Sequence, residues 1–245
     1  MSKHLSVIIP AYNEEHRIKT TLEAVFNYFV RQNYSWETII ISDGSKDRTV
    51  EITSEFISNK PEFNLIANTQ NHGKGYVVRQ GILAANGDYR LFIDADNAIS
   101  VEHIEKFWPY FNEGYDVVIG SIEVHGAEIH EHAQWYRRFF GKYSKYLIRI
   151  VAGLWNIHDT QRAFKIFTVK AATDIFSRTK IDRFGFDIEV LALAEKLGYK
   201  IKELPVVWNN PGDSKVGFKS YFEVLRDLFK IRFNLWFDAY GIKKK

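Results

Sequence analysis

Two carboxylates one residue apart close an apolar strand, Leu91-Phe92-Ile93 running straight into Asp94-Ala95-Asp96. A strand that is apolar on both faces is buried on both faces. Acidic side chains placed where such a strand leaves an open α/β sheet lie at its carboxyl edge, where these folds bind ligands. Alternation along an extended chain points Asp94 and Asp96 one way and Ala95 the other. Two oxygen donors on one side suit a hard divalent cation, Mg²⁺ or Mn²⁺, which typically shares its coordination with substrate phosphates. The same residue types also make ordinary turns after strands. Two further loops carry acid: Pro10-Ala11-Tyr12-Asn13-Glu14-Glu15, and Ser42-Asp43-Gly44-Ser45-Lys46-Asp47-Arg48-Thr49. If their strands lie beside the one that ends at Asp94, then Glu14, Asp43, Asp94 and Asp96 gather. Unpaired, they would repel one another; a cation or a hydroxyl-rich ligand relieves this.

The elements that must position them are legible. Leu5 to Pro10 and Trp36 to Ile41 read as buried parallel strands, with Pro10 ending the first. Phe63 to Ala67 is a weaker third strand, and Asp116 to Gly120 follows the one that ends at Asp94. Between them, Ile18, Leu22, Val25, Phe26 and Phe29 recur at helical spacing; further helices run from about Asp47, through Val77 to Leu83, and over Val101 to Phe111. Asp47 is placed to N-cap the second. Asn71-His72-Gly73-Lys74-Gly75 is a glycine-hinged loop. Strands alternating with helices imply a mostly parallel, doubly wound sheet. After Ser121 the pattern changes. Trp135 to Trp155 is a long amphipathic helical region, Ala163 to Phe167 a strand, Asp187 to Leu197 a helix stopped by Gly198. Ile201 to Trp208 is a strand whose Pro205 makes it an edge or antiparallel one; a last helix spans about Lys219 to Phe237.

Bulk properties exclude several classes. The 245 residues are long enough to bury a sizeable core. One domain over 1–245 is expected, in two halves, residues 1–120 and residues 121–245, the second carrying the amphipathic helices. A net charge of +3 is too small to argue for nucleic acid. The chain has no cysteine, so disulfides and thiolate metal sites are excluded, which fits a reducing compartment. Met1-Ser2-Lys3-His4 leads into a strand without a signal-peptide pattern, and no apolar run approaches the ~18 residues of a spanning helix. There is no strand-linked G-x-x-x-x-G-K-S/T and no strand-linked G-x-G-x-x-G, which speaks against P-loop and dinucleotide folds. An acidic sheet edge without either points to a nucleotide held by base and ribose, with its diphosphate on a metal.

In order and spacing, Val7-Ile8-Ile9-Pro10-Ala11-Tyr12-Asn13-Glu14-Glu15, Ser42 to Thr49, Asn71 to Gly75 and Asp94-Ala95-Asp96 resemble the family 2 glycosyltransferases of GT-A fold. Asp159-Thr160-Gln161-Arg162-Ala163-Phe164-Lys165, Phe186 to Leu191, Glu203 to Trp208 and Ser214-Lys215-Val216 narrow this to dolichyl-phosphate β-glucosyltransferases and their polyprenyl-phosphate relatives. The resemblance implies that Pro10, Ala11, Tyr12 and Glu14 line the nucleotide, with Asp43 reaching base or ribose and Lys74 near the base end. It implies that Asp94, Ala95 and Asp96 hold the donor, that Asp94 and Asp96 hold the metal, and that Asp96 is the more direct ligand. Arg137 and Arg138 would meet the acceptor phosphate. Asp159 and Gln161 would flank the sugar, and Ser214-Lys215 would close over the diphosphate. Three stretches depart from the pattern: Asn97-Ala98 stands for Gly-Ala, Arg162-Ala163 for Cys-Gly, and Ile122 for an Arg after Gly-Ser. Arg162 can replace the charge missing at Ile122.

The activity expected from these residues is inverting, metal-dependent hexose transfer, of glucose above all, from a UDP-sugar to a polyprenyl phosphate. A lipid phosphate is already anionic and needs a cationic cradle, from Arg137, Arg138 and Lys215, more than a strong base. With a hydroxyl acceptor, Asp159 or Asp187 would have to act as base. The alternatives are transfer to a saccharide hydroxyl in cell-surface polysaccharide synthesis, and a non-catalytic nucleotide-sugar-binding protein. The aromatic stripes Trp135 to Trp155 and Phe218 to Trp236 are interleaved with Arg and Lys. They suit a helix lying on an anionic bilayer, and equally a core or a seam in a homo-oligomer. The expected location is cytoplasmic, peripheral to the membrane. Irregular spacing makes His125, His130 and His132 a poor metal cluster.

Overall fold

A computed structural model describes residues 3–130, 146–209 and 218–242. Strand β1 (Lys3–Ala11) is followed by α1 (Ile18–Phe29), β2 (Trp36–Asp43), α2 (Thr49–Ile57), β3 (Phe63–Asn68), α3 (Lys74–Ala84) and β4 (Gly87–Phe92). A 3₁₀ turn (Val101–Lys106) and α4 (Trp108–Asn112) lead to β5 (Val117–Ser121) and β6 (Glu128–His130). Helix α5 spans 146–152. Then come β7 (Lys165–Thr168), α6 (Val169–Phe176), α7 (Phe186–Lys196), β8 (Ile201–Pro205), β9 (Val207–Asn209) and α8 (Phe218–Trp236).

Seven strands form one sheet in the order β3-β2-β1-β4-β7-β5-β8. Strands β3, β2, β1 and β4 are parallel, as is the β5–β8 pair. Strand β7 is antiparallel to both β4 and β5 and separates them. Alternation along the strands splits the core. Ile8, Ile41, Phe92 and Ile119 face α3, α6 and α7 on one side. Val7, Ile9, Ile40 and Leu91 pack with Ile18, Leu22, Val25 and Phe29 of α1 on the other.

Four local expectations change. Strand β1 continues through Pro10, which is in register with Ile41 of β2. The Ile8 carbonyl accepts from the Ile93 N–H, so Ile8 and Pro10, two residues on, both aim their backbone polar groups at β4. The β1–β4 ladder ends at Ile8–Phe92, so the proline's missing N–H costs no rung. The expected helix over Val101 to Phe111 is instead a 3₁₀ turn followed by a short α-helix with Pro109 in its first turn. Pro205 does lie on an edge strand, but a parallel one, and Val206 breaks the expected strand into β8 and β9. Helix α2 starts at Thr49, with Arg48 as its formal cap; the Asp47 Oδ1 still accepts from the Thr49 N–H at 3.0 Å.

Candidate functional site

The carboxyl ends of β1, β2 and β4 converge, and their loops are laced together by hydrogen bonds. Asn13 takes a φ of 53° and accepts through Oδ1 from the Lys46 N–H at 2.8 Å. The Glu14 N–H donates to Thr49 Oγ1 at 2.7 Å and the Glu15 N–H to Asp47 Oδ2 at 3.1 Å. Pro10 and Ala11 are buried beneath this lattice, whereas Tyr12 is 37% exposed above it.

The acidic residues are less bare than expected. The Glu14 carboxylate is paired with Arg17 at 2.7 Å. Asp43 is buried and accepts from Asn71 Nδ2 at 2.8 Å, the His72 N–H at 2.7 Å and the Gly73 N–H at 2.9 Å. It therefore ties the glycine-hinged loop to the end of β2. Gly73 makes that turn with φ +108°, and a Cβ there would collide with the Asp182 carbonyl oxygen. The same turn starts α3, which delivers Lys74 Nζ to 2.5 Å from Asp94 Oδ1. Lys74 thus sits against the carboxylates at the end of β4.

Ala95 is buried and accepts through its carbonyl from Thr21 Oγ1, while Asp94 and Asp96 on either side are half-buried. The alternation expected from extended backbone holds here. Burial raises the Asp96 pKa, and the neighbouring Asp94 adds to this; the Ala98 N–H, Lys74 and Arg17 oppose it. Two neighbouring carboxylates, of which Asp96 is held above its usual pKa by burial and by Asp94, are a donor set that a hard divalent cation relieves, so these residues fit Mg²⁺ or Mn²⁺. Among the described residues there is no group of three or more acidic or histidine ligands. Asn97 has φ 53°, a left-handed conformation that Asn tolerates among non-glycine residues. This explains why Asn can stand where the resemblance expects Gly. The turn matters there, and Asp96 Oδ1 closes it by accepting from the Ala98 N–H at 3.0 Å.

Burial draws the Lys74 ammonium down, but Asp94, Asp187 and Asp96 outweigh it and its pKa is raised. Asp187, in the first turn of α7, is buried and paired at 2.5 Å with Lys165 of β7. Burial raises the Asp187 pKa, and Lys165 and Lys74 oppose that rise. Both ammonium groups lie over the Phe92 ring, Lys74 Nζ 5.3 Å and Lys165 Nζ 5.7 Å from its centre. Lys165 also donates to the Arg162 carbonyl. Lys165 is a site residue that the sequence motifs do not single out. Its signal was a lone charge in the apolar strand Phe164 to Phe167.

Asp159 and Gln161 lie on the loop before β7. Asp159 is buried, and its N–H and that of His158 donate to the two oxygens of Glu203 on β8, at 2.7 and 2.9 Å. Asp159 Oδ2 accepts from the Ile122 N–H at 3.2 Å and faces Arg162 Nε at 3.5 Å. Its Oδ1 accepts from the Gln161 N–H at 3.4 Å. Burial raises the Asp159 pKa, against the pull of Arg162, the Ile122 N–H and Lys165. Ile122 thus serves through its backbone, and Arg162 stands beside the carboxylate that Ile122 holds. Phe164, at the end of this loop, is buried with φ 98°, a strained conformation for an aromatic residue. Its N–H donates to the Phe92 carbonyl and its carbonyl accepts from Gly120, which pins the loop between β4 and β5.

Arg137, Arg138, Ser214 and Lys215, with His132 and the stretch from Trp135 to Tyr143, lie outside the described residues. Helix α8 presents Phe222, Leu225, Phe229, Phe233 and Trp236 outward, while Leu228 and Ile231 are buried. Tyr146, Ile150 and Trp155 are also exposed. No helix among the described residues is long and apolar enough to cross a membrane.

This edge, with its acidic strand end and ordered loops, belongs to a nucleotide-sugar transferase of GT-A fold. The model of the family described as glycosyl transferase family 2 matches residues 6–176, and the chain belongs to that family. It is a glycosyltransferase. Dolichyl-phosphate beta-glucosyltransferase from Trichomonas vaginalis is 34% identical over 95% of this chain and 73% of its own length. The enzyme of that name from Dictyostelium discoideum is 32% identical, over 98% and 77% respectively. The fold matches Mycobacterium tuberculosis glucosyl-3-phosphoglycerate synthase, crystallised with Mn²⁺, uridine diphosphate and glucosyl-3-phosphoglycerate. The TM-score is 0.71 at 18% identity, covering 99% of this chain and 82% of that one.

Proposed function

We propose that this enzyme transfers glucose, with inversion, from UDP-glucose to a polyprenyl phosphate at the cytoplasmic face of a membrane. The observation that carries this reading is the Asp94–Asp96 pair at the carboxyl end of β4, in a chain about one third identical to dolichyl-phosphate glucosyltransferases. In this reading 1–245 is one domain. Residues 1–120 take the donor, with Pro10, Ala11, Tyr12, Glu14 and Asp43 around the nucleoside. Residues 121–245 take the acceptor.

Asp96 and Asp94 would hold Mg²⁺ or Mn²⁺, which supplies Lewis-acid neutralisation of the leaving diphosphate. Asp94 and Ala95 orient the donor, and Lys74 adds positive charge beside them. Asp159 and Gln161 orient the sugar ring. Asp187, ion-paired and buried, supports the negative potential below it. A phosphate oxygen of the acceptor forms the new bond to the anomeric carbon, and UDP departs with the electron pair of the old one. Because the nucleophile is already an anion, no side chain has to remove a proton. Arg137, Arg138 and Lys215 cradle the acceptor phosphate, and Ser214 with Lys215 closes over the diphosphate.

The test is incubation with radiolabelled UDP-glucose, Mg²⁺ and dolichyl or undecaprenyl phosphate. Label should appear in lipid; label only on a saccharide, or donor binding without turnover, would overturn the reading. Asp96→Ala should lower transfer by at least about a hundredfold with an unchanged circular dichroism spectrum. The outward aromatic face of α8 also carries Arg232, stacked on Trp236 at 4.8 Å, and supports peripheral membrane contact. The protein should sediment with anionic liposomes at low salt; failure to do so would remove the membrane from the proposal.

A further inference from the structure

The Arg162 guanidinium has an unusual setting. Its carbon lies 4.4 Å from the centre of the Trp208 ring, so the fork rests on an indole platform. Its Nε faces Asp159 Oδ2 at 3.5 Å. Its two terminal nitrogens make no hydrogen bond among the described residues, and its side chain is 31% exposed. The platform is fixed by its neighbours. The Val207 N–H donates to His103 Nε2 at 3.0 Å, and the Asn209 N–H donates to the Ala98 carbonyl at 2.8 Å. Trp208 is therefore tied on both sides, and one tie runs to the turn closed by Asp96. The loop beneath Arg162 is anchored as well, through Lys165 to the Arg162 carbonyl and through Glu203 to Asp159.

Asp159 alone is a poor match for this cation. It already accepts from the Ile122 and Gln161 N–H groups, and it meets Arg162 at Nε rather than across the fork. A guanidinium held over an aromatic ring, with Nε facing a carboxylate and its terminal N–H groups open, can offer those N–H groups to a phosphate monoester in parallel hydrogen bonds. Arg162 lies on the loop before β7, the strand that pairs with β4 on the side opposite β1, and Trp208 lies on β9, which pairs with β6 outside the main sheet. We propose that Arg162, seated on Trp208, binds the acceptor's phosphate monoester and positions it toward the sugar held near Asp159. This rests on the proposed function and specifies the part of the site that takes the acceptor.

The shared chemistry is a phosphate monoester, which a polyprenyl phosphate or a small phosphorylated metabolite can supply. Farnesyl phosphate, farnesol and 3-phosphoglycerate serve as acceptors and as calorimetric ligands, with UDP-glucose and Mn²⁺ titrated in parallel. Arg162→Gln should raise the KM for farnesyl phosphate about tenfold and weaken its binding equally, the scale of a lost charge-assisted hydrogen bond. UDP-glucose affinity should stay within about twofold of wild type. Arg162→Lys should recover part of the loss, and Trp208→Leu should reproduce a fraction of it with Arg162 intact. Transfer to 3-phosphoglycerate in place of farnesyl phosphate would assign the phosphate to a metabolite and keep Arg162 as its ligand. If wild type transfers only to a hydroxyl, the function reading fails; Arg162 is then judged by its effect on farnesyl phosphate binding alone. Unchanged acceptor binding in a folded Arg162→Gln protein, or an equal loss of UDP-glucose affinity, would overturn the inference.

Discussion

Two lysine–aspartate pairs lie near Phe92, and both close to 2.5 Å, but they are built for different ends. The Lys165–Asp187 side chains are 1% and 5% exposed, whereas those of Lys74 and Asp94 are 22% and 36% exposed. The first pair joins β7 to α7 inside the core, where an ion without its partner is costly. The second lies at the sheet edge, where water and ligands can compete for each member. The difference separates what holds the site from what the site can offer. Lys165 and Asp187 fix the floor; in the proposed function Asp94 is the carboxylate that would exchange an internal ammonium for a bound cation.

The comparison is broken most readily at the buried pair. Lys165→Met leaves Asp187 buried without its counter-ion and should cost about 3–5 kcal/mol in urea unfolding. Lys165→Met with Asp187→Leu should recover most of that, because replacing both buried ions with apolar groups is often neutral. A single-variant loss below about 1 kcal/mol would mean that the two pairs are energetically alike. Lys74→Met sharpens the other side. It should change stability by no more than about 1 kcal/mol. With Lys74 no longer competing for Asp94, Mn²⁺ affinity without nucleotide should rise a few-fold by electron paramagnetic resonance titration; an unchanged affinity would leave Lys74 no hold on the carboxylate.

The smallest expected effect concerns Asp159. Its pKa is raised, chiefly by burial, so the folded protein holds this proton more tightly than the unfolded chain does. The associated stability is present below the unfolded pKa and is lost as pH rises through the folded one. At neutral pH the ionised carboxylate is therefore a cost that Asp159→Asn avoids. The variant should melt higher at pH 7, on the order of a few degrees, and the gap should close on acidification as wild type protonates. A gap that widens toward low pH would contradict the direction of the shift. Transfer by the same variant should fall, since Arg162 loses the carboxylate beside it.

Much of the sheet's carboxyl edge was legible because it is local. The strands before Pro10, Asp43 and Asp94 are short β-branched or aromatic runs, and a chain with that pattern has few other ways to bury itself. Their carboxyl-edge placement followed from β–α alternation, and the outward pointing of Asp94 and Asp96 from a period of two. Gly198 as a helix stop was equally local, with φ +82°. The left-handed turn at Asn97 was hidden, since Asn signals it only weakly and the resemblance expected Gly.

The second half shows what only tertiary structure decided. Nothing in Lys165-Ile166-Phe167-Thr168 reveals that this strand enters antiparallel between β4 and β5. That insertion carries Lys165 to Asp187 and Arg162 to Trp208, pairs separated by 22 and 46 residues of chain. The four acidic residues were legible from sequence as candidates, but their partners were not. Arg17 on Glu14, the Asn71–Gly73 loop on Asp43 and Lys74 on Asp94 are choices made by packing. The sequence determines which groups can act, because strand ends and turns depend on neighbouring residues. Which charges are neutralised and which stay open depends on contacts between distant segments, so those were decided by the folded chain alone.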